Sequence, residues 1–258
     1  MKNNVLFTVT DLKLITKLKE KGIDRFVYPL SFFCVGIPKT FSIEDIKEEN
    51  AYLFVNRVLN CEDIDKLSDI LHHLPKNIKG IIFDDVGLIE VCQDLDIEKV
   101  LYLSHFNTNY ASINYYFDYV DDIIVSTDIT EKEIDEIIAK AKKKVSLFAF
   151  GLIPSLYSRR SLLTSYATYN DIEYKDQKEL HIGEKKFIGI ENEYGMMMYH
   201  YPYFNGTRLW HKDVHYLFYF PILLDADKVV NVADNNFEGI DTDEGFLDNP
   251  TIYKVKRN

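Results

Sequence analysis

With 258 residues, the chain has room for one large α/β domain or two small ones. Its balance of 47% hydrophobic and 28% charged residues is that of a globular protein, and 18 Tyr and 17 Phe against 11 Gly point to a large aromatic core and away from disorder. A net charge of -11 provides no general attraction to nucleic acid or to an anionic membrane, which disfavours both as partners.

The first residues, MKNNVLFTVTDLK, lack the apolar run of a secretory signal. Elsewhere no apolar run approaches the roughly 18 residues that span a membrane. The expectation is a cytoplasmic protein. Cys34, Cys61 and Cys92 are far apart, odd in number and free of any CxxC, so they read as reduced thiols rather than a disulfide framework or a closed zinc site.

Residues 4–10 (NVLFTVT) favour a strand. Asp11 follows as an N-cap, then Leu12, Ile15 and Leu18 at helical spacing, with Gly22 as the stop. Residues 25–30 predict a second strand, and Ser42 with Asp45 opens a short helix. The third strand is 51–59. The helix after it carries Ile64, Leu67, Ile70, Leu71 and Leu74 on one face and ends at Pro75. Residues 79–85 form a fourth strand ending in Asp84 and Asp85, followed by a helix over 86–95. Residues 99–104 are the fifth strand, with an aromatic-rich helix over 107–119, and 122–127 are the sixth. Thr130 with Glu133 caps the next helix, which buries Ile134, Ile137 and Ile138. The apolar run from Val145 to Phe150 is the seventh strand; it turns through Gly151 and Pro154 into the adjacent Arg159 and Arg160.

Strands alternating with helices every roughly 20 to 25 residues imply βα units and a parallel sheet. Seven in succession favour a (β/α)8 TIM-barrel-like α/β fold over an open doubly wound sheet. The open dinucleotide-binding alternative also lacks its GxGxxG fingerprint. Residues 172–209 turn polar and strand-like, a small β insertion before the last βα unit. An apolar segment at 213–224, with Pro221 inside it, predicts one or two short helices, and 228–232 (KVVNV) predicts the eighth strand. This divides the chain into a barrel over 1–171 and 210–235, the insertion, and a hairpin-like tail over 236–258.

The run from Phe150 to Tyr166, FGLIPSLYSRRSLLTSY, resembles the signature HGxLCxxYSGRCxLSNY of the collagenase-like proteases, peptidase family U32. Gly151, Tyr157, Ser158, Arg160, Leu163 and Tyr166 fall in register. The strand ending at Asn56, the run Asp84-Asp85-Val86-Gly87, and the segment GFLDNPTIYKVK resemble further family segments. The resemblance implies a barrel and, by the family's name, a hydrolase; among the RNA- and quinone-modifying members it also implies an iron–sulfur cluster on four cysteines. Here Pro154 and Ser161 replace the two signature cysteines, so the expectation is no cluster and no other cofactor.

Barrel chemistry sits at the C-terminal ends of the strands. That places Asn56, Asp84, Asp85, Ser104, His105, Asn107, Ser126, Tyr157 and Arg160 at the mouth. Asp84 or Asp85 with His105 forms a candidate acid–base set, set against helix capping for the carboxylates and a structural role for the imidazole. Asn56, Asn107, Tyr157, Arg159 and Arg160 are candidate ligand-binding residues, since paired guanidinium groups suit carboxylate or phosphate. His211 and His215 stand four apart, as two metal ligands on one helix face would, but no HExxH glutamate lies between them. The leading expectation is a cluster-less, non-catalytic or accessory barrel that binds a small anionic ligand or a protein partner, such as a paralogue of the family. Peptide hydrolysis is the alternative and RNA binding a third.

Overall fold

The structure, a computed structural model, describes residues 4–249. Eight parallel strands close into a barrel: β1 (Val5–Thr8), β2 (Phe26–Pro29), β3 (Ala51–Val55), β4 (Ile78–Phe83), β5 (Glu98–Leu101), β6 (Asp122–Val125), β7 (Ser146–Gly151) and a last strand described below. Between them run α1 (Ile15–Glu20), α2 (Cys61–Leu71), α3 (Leu88–Val91), α4 (Tyr110–Tyr116) and α5 (Glu131–Lys140). The β2–β3 crossover has only a 3-10 turn, Ile43–Asp45, held by the capping box of Ser42 and Asp45. Thr130 and Glu133 cap α5 reciprocally, as their spacing predicts.

After β7 the chain leaves the barrel. It forms β8 (Pro154–Ser158), α6 (Leu162–Tyr169), β9 (Gln177–Ile182), β10 (Lys185–Asn192) and β11 (Gly195–Tyr201). These four strands make one antiparallel sheet in the order β8-β11-β10-β9, which reaches back to Pro154, well ahead of residue 172. The chain then returns through β12 (Tyr203–Asn205), antiparallel to the end of β7, to β13 (Leu217–Phe220), α7 (Ala226–Ala233) and β14 (Thr242–Asp243).

The eighth barrel strand is β13, and residues 228–232 lie inside α7, both contrary to the sequence expectation. β13 pairs in parallel with β7 (Leu217 with Leu147, Phe220 with Gly151) and with β1 (Val5 with Leu217), closing the barrel. The run LFYF is apolar on both faces because inward and outward positions are both buried, so its pattern carries no period. Phe218 and Phe220 point inward against Phe54, with ring centroids 6.1 and 5.6 Å away. Tyr219 faces outward, stacked on Phe7 and donating to Asn235 Oδ1 at 2.7 Å. α7 forms because Asp225 caps it, accepting from Lys228 N–H at 2.9 Å, while Val229, Val232 and Ala233 fall on one buried face.

α3 and α4 are shorter than predicted. Gly87 and Asp85 occupy the turn before α3, and α4 begins only after Asn109, which caps it. Thr207–His211 is a 3-10 turn followed by extended Lys212, so His211 and His215 share no helix face. In the predicted tail, Gly245 follows β14 in a turn, and residues 250–258 lie outside the described residues. Among the described residues no helix is long and apolar enough to cross a membrane.

Candidate functional site

The antiparallel sheet roofs the C-terminal mouth of the barrel. It is fixed to the β2–β3 side by the Tyr199 hydroxyl donating to the Gly36 carbonyl at 2.9 Å and by Asn192 Nδ2 donating to the Cys34 carbonyl at 3.1 Å. Arg57 completes the join. It lies 4.4 Å from the Tyr194 ring centroid and 4.7 Å from that of Phe32, and pairs with Asp63 at 2.6 Å. Gly36 is required here: its φ is +69°, and a Cβ would meet Met197 Cβ at 2.1 Å.

Between roof and mouth lies a cavity of about 110 Å³. Phe54 and Phe220 from the barrel and Met197 and Tyr199 from the roof make its apolar wall; Asp84, Tyr102, His105 and Tyr157 bring polar atoms to it. Asp84 follows β4 directly and is half-buried, with its Oδ1 sealed from solvent. Burial, helped by the neighbouring Asp85 charge, pushes its carboxyl up to about 7. Its Oδ1 has no hydrogen-bond partner among the described residues, nor has the Tyr102 hydroxyl. Burial also raises the Tyr157 hydroxyl, against the opposing pull of Arg159 and Arg57.

Asp85 does not line the cavity. Its Oδ1 accepts from Gly87 N–H at 2.9 Å and its Oδ2 from Leu59 N–H at 3.1 Å, so it closes the turn before α3. The ion-pair partner of His105 is neither of these carboxylates: Nδ1 stands 2.6 Å from Asp128 Oδ2. That hydrogen bond raises the imidazole above its ordinary value despite partial burial. Ser126 positions both partners, donating to the Ser104 carbonyl at 2.6 Å and accepting from Asp128 N–H at 3.1 Å. Asp128 was not singled out in the sequence, although its place just past the sixth strand was a signal equal to that of His105.

Asn56 lines the cavity but spends its amide on Val35, accepting at 2.9 Å and donating at 3.0 Å. Asn107 is fully buried and bridges strands instead, donating to the Ile124 carbonyl at 3.1 Å. Arg159 and Arg160 are exposed between β8 and α6, and among the described residues neither guanidinium has an ion pair or hydrogen bond. A wider groove of about 530 Å³ adjoins the His105–Asp128 pair, lined by Asp128, Lys185, His200, Tyr201 and Asp243.

A four-cysteine cluster does not fit these residues. Pro154 lies in β8 with no ligand atom, and Ser161 is exposed before α6. Cys34 Sγ donates to the Phe54 carbonyl at 3.0 Å, burial pushes the Cys92 thiol up to about 12, and Cys61 is exposed at the start of α2. Three thiols cannot supply four thiolates.

Fold and site together define a (β/α)8 barrel whose mouth is roofed by an antiparallel sheet inserted between its last two strands. The model of peptidase family U32 matches residues 31–176, more than half of the chain, and the protein belongs to that family. Among solved structures, the U32 peptidase Mk0906 is similar at 16% identity, with a TM-score of 0.48 over 68% of this chain and 81% of that one. No curated protein matches.

Proposed function

We propose that this U32-family chain binds a small ligand at the barrel mouth, without an iron–sulfur cluster, as a non-catalytic or accessory protein of the cytoplasm. The observation that carries this reading is Asp84, a carboxyl buried in the cavity wall with an unpartnered oxygen. A buried polar atom left without a partner costs about 1–3 kcal/mol, which a ligand offering a hydrogen bond returns. A cavity of about 110 Å³ admits only a small group, so the rest of the ligand lies in the groove beside the His105–Asp128 pair. The His105 imidazole, Lys185 and the exposed Arg159 and Arg160 favour an anionic ligand. A thermal-shift screen of small carboxylates and phosphates tests this. The expected result is a stabilising anion whose effect disappears in Asp84→Asn; a screen with no stabilising anion overturns the reading.

A second reading, hydrolysis, is favoured by the His105–Asp128 pair. His105 would act as general base toward water and Asp84, still protonated near neutral pH, as general acid toward the leaving group. Turnover of a peptide library that is lost in both His105→Ala and Asp84→Asn is its expected outcome.

A further inference from the structure

The opposite end of the barrel carries a polar cluster that the proposed mouth site does not use. Glu98 opens β5, Asp122 opens β6, and His215 lies just ahead of β13. His215 Nδ1 stands 3.6 Å from Glu98 Oε1 and 3.5 Å from Asp122 Oδ2, and the three ligand atoms lie within 4.8 Å of one another. Both separations from the imidazole exceed the about 2.7–3.2 Å of a good N–H···O hydrogen bond. They approach the spacing of two ligands on one tetrahedral zinc-type ion, which at about 2.0–2.1 Å per bond is about 3.3 Å.

A second observation points the same way. Glu98 Oε1 is sealed from solvent and has no hydrogen-bond partner among the described residues, yet it faces the imidazole. The remaining carboxylate oxygen accepts from the Tyr52 and Tyr216 hydroxyls at 2.6 and 3.1 Å. Asp122 is wholly buried: its Oδ1 accepts from Ile123 N–H at 2.8 Å, and its Oδ2 accepts from the Ser146 hydroxyl while also facing His215. Ser146 Oγ in turn accepts from Tyr216 N–H at 3.0 Å. Outer hydrogen bonds of this kind orient metal-ligating carboxylates. His215 stacks on Tyr216, with centroids 4.0 Å apart, and is partly exposed, which leaves a solvent-side position for a further ligand. Arg25, 5.6 Å from the Tyr216 ring, is a cation on this side of the barrel.

One nitrogen and two oxygen donors suit zinc or cobalt better than the all-oxygen cations magnesium and calcium. We propose that Glu98, Asp122 and His215 form a divalent-cation site of the zinc class that ties β5, β6 and β13 together across the barrel floor. β13 returns to the barrel only after the whole inserted sheet, and the ion clamps this late strand to the early ones.

The test titrates the chelator-stripped full chain with Co²⁺ and Zn²⁺. The expected result is one equivalent of Co²⁺ giving visible d–d absorption, its displacement by Zn²⁺, and a raised Tm. His215→Ala and Glu98→Gln abolish uptake, Tyr52→Phe weakens it about 10-fold, and Asp84→Asn at the mouth leaves it intact. No uptake, or uptake unchanged in His215→Ala, overturns the proposal. Should that variant fail to fold by circular dichroism, the imidazole resonances of the intact protein decide. Zn²⁺ shifts of His215 without shifts of His105 support the site, and unshifted His215 overturns it.

Discussion

The Glu191 carboxylate, on β10, accepts the backbone N–H of Leu163 at 2.6 Å and so caps α6 from a different element of the roof. It also takes the N–H of Thr164 at 3.2 Å and the Thr164 hydroxyl. Ser161, in the cap position itself, makes no side-chain capping bond, so the helix after the arginine pair starts where Glu191 lets it. Glu191→Gln places an NH₂ group against these donors. The expected loss is about 1–3 kcal/mol in denaturant melts, and unchanged stability would show the cap to be dispensable.

Asp84 keeps its proton in the folded state up to about pH 7, where the unfolded chain releases it near 3.8. The folded state therefore binds more protons across that interval, and stability falls as pH rises through it. Asp84→Asn should flatten this slope and stabilise the protein at pH 8 by up to about 4 kcal/mol. Melts of both proteins at pH 5 and pH 8 measure the difference, and equal slopes would contradict the burial argument.

Asp128→Ala removes the hydrogen bond that raises His105, so the imidazole should return toward its ordinary value in an NMR titration. The sign for stability is opposite to that of Asp84. The His105–Asp128 pair stabilises the fold fully below the ordinary imidazole value, and that contribution fades as pH rises through the raised one. A His105 titration unmoved by the substitution would place the cause elsewhere.

Gly151 ends β7 at φ +146°, and a Cβ there would stand 2.4 Å from the Phe220 carbonyl oxygen across the closing β7–β13 pair. Gly151→Ala combines backbone strain with overpacking against a main chain that cannot yield. The expected cost is roughly 2–6 kcal/mol, read as lost soluble yield or a lower denaturation midpoint.

The Arg159 and Arg160 guanidinium groups make no ion pair or hydrogen bond among the described residues, so the double alanine variant should change stability by less than about 0.5 kcal/mol. Anion affinity at the mouth should weaken, and more at low salt than at high. Full retention of anion binding would remove both residues from the site.

The other signature residues serve the architecture. Leu163 is buried against the roof sheet, Ser158 Oγ accepts from Arg160 N–H at 3.0 Å, and Tyr166 holds Lys178 at 4.0 Å over its ring. This is why a motif matched in register located the fold readily while leaving open what the mouth binds.

Local chemistry alone determined the βα cadence, the caps at Asp11, Ser42 and Thr130, and the parallel strands up to Gly151, because period and capping act within a few residues. Only the tertiary structure decided which segment closes the barrel. LFYF and KVVNV are both short and apolar, and the choice between strand and helix fell to the open edges of β1 and β7 and to the Asp225 cap. Tertiary structure likewise chose Asp128 as the partner of His105 and brought His215 to Glu98 and Asp122. These groups meet because closure brings strand ends together, and a linear pattern holds no record of which loops share an end of the barrel.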